Sequence, residues 1–187
     1  MSKDPSLIPT LIAGLWVAES SPRLDNRGTF SRFFCQETLG DALGGRQIIQ
    51  INHSCTTQRG AVRGLHFQHA PHAEMKLVRC LRGKVWDVAV DLRLDSPTFL
   101  QWFATELTPA NARMMIIPEG CAHGFQSLEP DSELLYLHTA AYSPMAEGGI
   151  HHADARLKIA WPLPVTDLSQ RDRQLPYIES DFAGVRL

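Results

Sequence analysis

Apolar, β-branched runs of strand length recur along this chain, each cut off by glycine, proline, asparagine or aspartate. Runs that short suit strands better than helices, so the pattern predicts an all-β fold. Strands are expected at residues 11–18, 29–34, 47–52, 62–68, 76–81, 84–92, 100–107, 113–117, 123–128, 132–140 and 157–161. The clearest hairpin runs from Lys76 to Leu92 and turns at Arg82-Gly83, where glycine supplies the positive φ of a tight turn. Its second arm, Trp86-Asp87-Val88-Ala89-Val90-Asp91, alternates large apolar residues with Asp, Ala and Asp. In an open sheet the polar set is a wet outer face; in a small barrel it lines a ligand-binding lumen. Helical signal is confined to short pieces at 37–43 and after Ser169.

The chain has 187 residues, 44% of them hydrophobic, enough for one cored domain over 1–187 and cramped for two. A formal charge of -2 offers no global attraction to nucleic acid or to an anionic membrane. An anionic ligand must then be held by locally placed Arg and Lys. Cys35, Cys55, Cys80 and Cys121 form no C-x-x-C pair, which argues against a zinc ribbon or a thioredoxin-type motif and for reduced, buried thiols. The apolar stretch from Leu7 to Val17 follows Asp4, is interrupted by Pro9 and is too short to span a bilayer. A soluble cytoplasmic protein is expected, with neither nucleic acid nor membrane as partner.

Residues suited to chemistry are densest at Arg63-Gly64-Leu65-His66-Phe67-Gln68, with Lys76 ten residues beyond His66. A neutral imidazole is a competent base near pH 7 and an ammonium stabilises an enolate, so the pair suits proton abstraction beside a carbonyl. A histidine on a strand is just as compatible with a structural role. A second cluster, Ile117-Pro118-Glu119-Gly120-Cys121-Ala122-His123-Gly124-Phe125, frames a histidine with glycines that permit close approach by a ligand. It also reads as a turn before a strand whose histidine satisfies a buried hydrogen bond. In Ser132-Glu133-Leu134-Leu135-Tyr136 the phenol is either a proton donor or a core aromatic. Leu168-Ser169-Gln170-Arg171-Asp172 places an acid and a base after the last expected strand.

These clusters occur in the order and approximate spacing of the dTDP-4-dehydrorhamnose 3,5-epimerase family, which the chain resembles from Asp25-Asn26-Arg27-Gly28 to Leu168-Ser169-Gln170-Arg171-Asp172. Further blocks that carry the resemblance are Gln50-Ile51-Asn52-His53-Ser54, Asp87-Val88-Ala89-Val90-Asp91-Leu92-Arg93, Ser96-Pro97-Thr98-Phe99 and Trp161-Pro162. The resemblance implies a cupin-type jelly-roll β-barrel with short peripheral helices. It also implies a homodimer that exchanges the N-terminal strands, about residues 1–35, with a C-terminal tail of about 165–187. The implied site needs no metal or other cofactor. The substrate would be a nucleotide-diphospho-4-keto-6-deoxyhexose inverted at C3, C5 or both. By similarity His66 is the base, Asp172 orients it, Lys76 steadies the oxyanion and Tyr136 is the acid on the far face. Arg27, Arg63 and His123 are the implied diphosphate and sugar contacts, with Gln50, Asn52, Tyr142 and Arg171 nearby.

The chain departs from the family pattern at Arg32, where Glu is usual; an Arg there favours the acceptors of cytosine over the N3–H of thymine, which implies a CDP-linked sugar. Glu74 stands for Gln, Leu137 for Lys, Ala141 for Tyr and Arg171 for Lys. A metal-dependent cupin is the rival reading, with His66, His69, His72, Glu74 and His123 as ligands on paper. His66 and His69 are an odd number of residues apart and would face opposite ways on a strand. A sugar-nucleotide-binding module without chemistry is the other alternative, though a pure binder has no need of His66, Lys76, Tyr136 and Asp172 together.

Overall fold

The computed structural model describes residues 4–187. Its strands are β1 (Ser6–Pro9), β2 (Trp16–Glu19), β3 (Arg23–Asp25), β4 (Gly28–Phe30), β5 (Gln50–Thr56), β6 (Val62–Gln68), β7 (Lys76–Arg82), β8 (Val85–Asp91), β9 (Trp102–Leu107), β10 (Arg113–Ile117), β11 (Cys121–Ser127), β12 (Ser132–His138) and β13 (Glu147–Gly149). Two one-turn helices, α1 (Gly40–Leu43) and α2 (Gln170–Arg173), complete the elements. One sheet has the order β1-β2-β10-β7-β12-β5, a second β13-β6-β11-β8-β9, and β3 and β4 form a separate hairpin. Every strand pairing is antiparallel.

The expected jelly-roll barrel is not what forms. Among the described residues neither large sheet closes: one ends at β1 and β5, the other at β13 and β9, and no strand pairs across from one sheet to the other. A barrel needs hydrogen bonds right round its circumference. Here the two open sheets are joined instead by side chains between them. Val78, Cys80, Met115, Ile117 and Leu134 of the six-stranded sheet pack against Val85, Ala89, Leu107, Cys121 and Phe125 of the five-stranded one. Each fully buried Val, Leu, Ile or Phe contributes about 1.5–3 kcal/mol.

Both outer faces are covered as well. Leu77, Met114, Ile116 and Leu137 lie beneath Leu39, Ala42 and Leu43 of the α1 segment. Leu65, Phe67, Val88 and Val90 lie beneath Ile150, Leu157 and Val185 of the C-terminal chain, with Trp86 and Trp161 packed alongside. The β8 alternation therefore has two dry faces. Asp87 and Asp91, both 0% exposed, are buried polar groups and not a wet surface. Asp91 accepts from the Arg93 guanidinium at 2.8 Å and from the Ser96 and Thr98 hydroxyls at 2.6 Å each, which holds its carboxyl at about 2 although burial pushes it up.

Strand β6 carries the irregularity that matters for the site. Against β11, His66 pairs with His123, but Arg63 pairs with Phe125, so two residues of β6, Gly64 and Leu65, oppose one of β11, Gly124. Such a bulge shifts the in-out alternation by one position. Gly64 sits in it with φ +109, and a Cβ there would lie 2.6 Å from the His123 carbonyl oxygen and 2.7 Å from Gly124 Cα. Gly64→Ala is expected to cost about 2 kcal/mol or more, because it adds a strained φ to a backbone collision. Urea unfolding of the variant against wild type reads this directly.

Of the thiols, Cys80 and Cys121 are buried as expected, whereas Cys35 is half-buried and Cys55 exposed. Burial pushes the Cys80 thiol up to about 11 and the Cys121 thiol up to about 12, so both stay protonated and inert at neutral pH. No helix among the described residues is long and apolar enough to cross a membrane.

Candidate active site

At one end of the space between the sheets the apolar packing gives way to a cleft of about 820 Å³. Phe125 and Tyr136 belong to both the core and the cleft wall, so the end of the core is the cleft floor. One wall is β6 and β11 of the five-stranded sheet, and the other is β5, β7 and β12 of the six-stranded sheet.

His66 projects from the β6 wall, and its Nε2 lies 2.6 Å from Asp172 Oδ1. Asp172 arrives from α2, where its N–H donates to the Ser169 hydroxyl at 3.0 Å in an N-cap. Its second oxygen accepts from the Gly64 N–H at 3.3 Å, which ties the carboxylate to the β6 bulge. Burial pushes Asp172 up, but the hydrogen bond and charge of His66, together with the Gly64 and Ser169 bonds, outweigh it and leave the carboxyl below its ordinary value. An ionised Asp172 accepts only, so the neutral His66 ring donates from Nε2 and carries its lone pair on Nδ1. The side chain of His66 is 28% exposed and that of Asp172 4%, the arrangement of a base reachable from the cleft and a partner that is not.

The opposite wall is set by period-2 alternation on β12. Leu135 and Leu137 pack outward towards α1, which turns Leu134, Tyr136 and His138 inward. The Tyr136 hydroxyl lies 3.0 Å from Ser54 Oγ on β5, and burial pushes the phenol far above its ordinary value. Lys76, at the start of β7, donates from Nζ to the His66 carbonyl at 3.1 Å, bridging the two walls. Its ammonium also lies 3.3 Å from Glu74 Oε1. At the floor, His123 Nε2 is 2.7 Å from Asp87 Oδ1, and its ring meets Tyr136 edge-on at 6.2 Å between centroids. Asp87 Oδ2 is buried with no hydrogen-bond partner among the described residues, and burial pushes that carboxyl up against the opposing pull of His123.

Arg63 enters the cleft through the bulge and donates to Thr56 Oγ1 at 3.0 Å and to the Cys55 carbonyl at 3.1 Å. At the mouth, Glu147 accepts from the Tyr142 hydroxyl at 2.9 Å and pairs with Arg171. Gln50 accepts from the Tyr142 N–H at 3.0 Å and donates to Asn52 Oδ1 at 3.1 Å, so it braces the rim without lining the cleft. Of the residues singled out in the sequence, the cleft thus gathers His66, Asp172, Tyr136, Lys76, Asn52, Arg63, His123, Tyr142 and Arg171.

Two expected substrate contacts are elsewhere. Arg27 sits on the β3–β4 hairpin with its side chain 84% exposed and its guanidinium on Asp25. Arg32 is exposed and outside the cleft of its own chain. The ligand set of the metal-cupin alternative is dispersed. His69 leaves the cleft and packs edge-on against Phe67, and no three His, Cys, Asp or Glu among the described residues converge on a metal position. Sequence reasoning missed Ser54, Glu147 and His138; His138, two residues beyond Tyr136 on one strand, was the one with a readable signal.

A family model described as dTDP-4-dehydrorhamnose 3,5-epimerase matches residues 9–180. A relative from Salmonella typhimurium, named dTDP-4-dehydrorhamnose 3,5-epimerase, is 41% identical over 175 residues, 92% of this chain and 95% of its own. A Streptomyces niveus protein named dTDP-4-dehydrorhamnose 3-epimerase is 38% identical over 181 residues, covering 96% of this chain and 87% of its own. Among solved structures, the Legionella pneumophila dTDP-6-deoxy-D-glucose-3,5-epimerase in complex with dTDP-4-keto-L-rhamnose superposes with a TM-score of 0.89 at 37% identity, over 96% of this chain and 97% of that one. With its cleft built on a fold shared at this level, and with the match running over most of its length, the chain belongs to the dTDP-4-dehydrorhamnose 3,5-epimerase family.

Proposed function

We propose that this protein is an isomerase that epimerises a nucleotide-diphospho-4-keto-6-deoxyhexose beside its C4 ketone. The observation that carries the reading is the facing of a carboxylate-held imidazole, His66 with Asp172, by a half-buried phenol, Tyr136, across one cleft bridged by Lys76. Protons on the carbons flanking a ketone are acidified because the electron pair left behind spreads onto oxygen. His66 takes such a proton on Nδ1, and Asp172 stabilises the imidazolium that results. The Lys76 ammonium meets the charge growing on the ketone oxygen. Tyr136 returns a proton to the carbon from the opposite face, which inverts it.

Arg63 and Arg171 supply positive charge for the diphosphate, a role suited to the planar guanidinium. His123, Asn52, Tyr142 and Gln50 line or brace the sugar-facing part of the cleft. We extend the reading to a cytoplasmic homodimer of single-domain chains. Of the N-terminal segment expected to exchange, about residues 1–35, residues 1–3 lie outside the described residues, and β1 pairs with β2 and β2 with β10 of the same chain. The part proposed to exchange is therefore the β3–β4 hairpin and the residues that follow it. Such an exchange would bring Arg27 and Arg32 to the cleft of the other copy. It is supported by the β3–β4 hairpin, which is exposed throughout and leaves Leu24 79% and Phe30 71% exposed in the single chain.

Incubation with dTDP-4-keto-6-deoxyglucose tests the reading. New ring-proton couplings of an epimerised sugar are expected in the NMR spectrum, and an unchanged sugar would contradict it. The same incubation with the CDP-linked sugar tests Arg32: if cytosine is preferred, the CDP nucleotide binds more tightly, and equal or weaker binding removes that role.

A further inference from the structure

Tyr136 and Lys76 share their wall of the cleft with a second carboxylate–imidazole pair. Glu74, just before β7, is half-buried as a residue, with its side chain only 7% exposed. One of its oxygens lies 3.3 Å from Lys76 Nζ, and the other lies 2.7 Å from His138 Nδ1. Burial pushes the Glu74 carboxyl up, but the His138 bond and the Lys76 charge win and hold it below its ordinary value. An ionised Glu74 requires His138 to donate from Nδ1, which fixes the tautomer and leaves Nε2 as the working nitrogen. In that tautomer Nε2 accepts from the Asn52 Nδ2 amide at 3.4 Å, a long contact that a proton on Nε2 would displace, and the ring lines the cleft.

His66 with Asp172 has the same construction on the facing wall. Neutralising Lys76 would occupy only one oxygen of Glu74; the second oxygen is spent on orienting an imidazole. His138 and Tyr136 are two residues apart on β12, and their rings are stacked with centroids 6.2 Å apart. Burial also makes the Tyr136 phenol a weaker acid than a free one. A second donor on this wall therefore has a task to perform.

We infer that His138, oriented by Glu74, is a second proton donor of the cleft, acting beside Tyr136 on the face of the sugar opposite His66. This rests on the epimerase reading above. In the step, the C–H bond beside the ketone breaks, its proton goes to His66 and its electron pair to the enolate. Protonated His138 gives its Nε2 proton to the other face of the same carbon, forming the new C–H bond and leaving a neutral imidazole held by Glu74. His66 then releases a proton to solvent and His138 takes one up, so protons balance. Glu74 is a positioning residue.

The test is the fate of deuterium in D2O with dTDP-4-keto-6-deoxyglucose. Deuterium returned by the His66 wall gives exchange with retention, and deuterium returned by the opposite wall gives inversion. In His138→Gln the inversion-to-retention ratio at C3 or C5 is expected to fall about tenfold or more, with Glu74→Gln moving it the same way. His138→Phe, which keeps a ring without a transferable proton, is expected to reproduce the fall if the Gln variant does not fold. A ratio equal to wild type at both carbons in a folded His138 variant overturns the inference, even if the overall rate drops. No exchange at either carbon in the wild type overturns the epimerase reading together with it, whereas wild-type exchange with unchanged ratios in the variants overturns this inference alone.

Discussion

Replacing His66 with alanine is expected to slow epimerisation by about a thousandfold or more, with little change in nucleotide binding. No other imidazole on the β6–β11 wall is free to replace it, since His123 is committed to Asp87 at the cleft floor. The variant also leaves Asp172, only 3% exposed, without its principal partner. That loss costs about 1–3 kcal/mol of stability, so His66→Gln, which keeps a donor near the carboxylate, is the companion variant. Steady-state rates should collapse alike in both, while the unfolding midpoint drops further for alanine. Activity within tenfold of wild type in either would remove His66 as the base.

Asp172→Asn carries the second large effect, a loss of about two to three orders of magnitude in kcat. The amide preserves the volume and an acceptor for His66 Nε2 but not the negative charge that stabilises the imidazolium. The same residue gives a pH dependence of stability. Its folded carboxyl lies below the ordinary value, so its contribution is fully present above the unfolded pKa of about 3.9 and is lost as the pH falls through the folded value. The thermal margin of wild type over Asp172→Asn is therefore expected to narrow as the pH falls below about 4. A margin that persists unchanged to well below about pH 3 would contradict an ionised, His66-bound Asp172.

Much of the fold was legible because strand-length alternation is a direct imprint of half-buried pleats. The bounds of β6 and β10 coincide with the apolar runs expected at 62–68 and 113–117. Failures cluster where pairing, and not pattern, decides. Strands β1, β3 and β13 have three or four residues each and lack a run long enough to read. Residues 157–161 look like a strand, yet Leu157 and Trp161 use their apolar surface to cover the five-stranded sheet from a loop. Whether two sheets close into a barrel depends on what their edge strands meet, which no local alternation encodes.

The site was legible to the extent that its residues follow strand parity. Tyr136 and His138 do. Arg63 and His66 do not, and only the bulge at Gly64 explains how residues three apart share a face. Asp172 could not be joined to His66 by spacing, because 106 residues separate them and the contact depends on where the C-terminal chain docks. Arg27 and Arg32 mark the opposite case, expected contacts that the single chain leaves on its exterior.

Proton NMR of the wild-type protein with dTDP-4-keto-6-deoxyglucose in D2O tests enolate chemistry at this cleft most directly. Deuterium entering at C3, C5 or both, and failing to enter in His66→Gln, is the expected result. Absence of exchange in the wild type, or equal exchange in the variant, would contradict proton abstraction by His66.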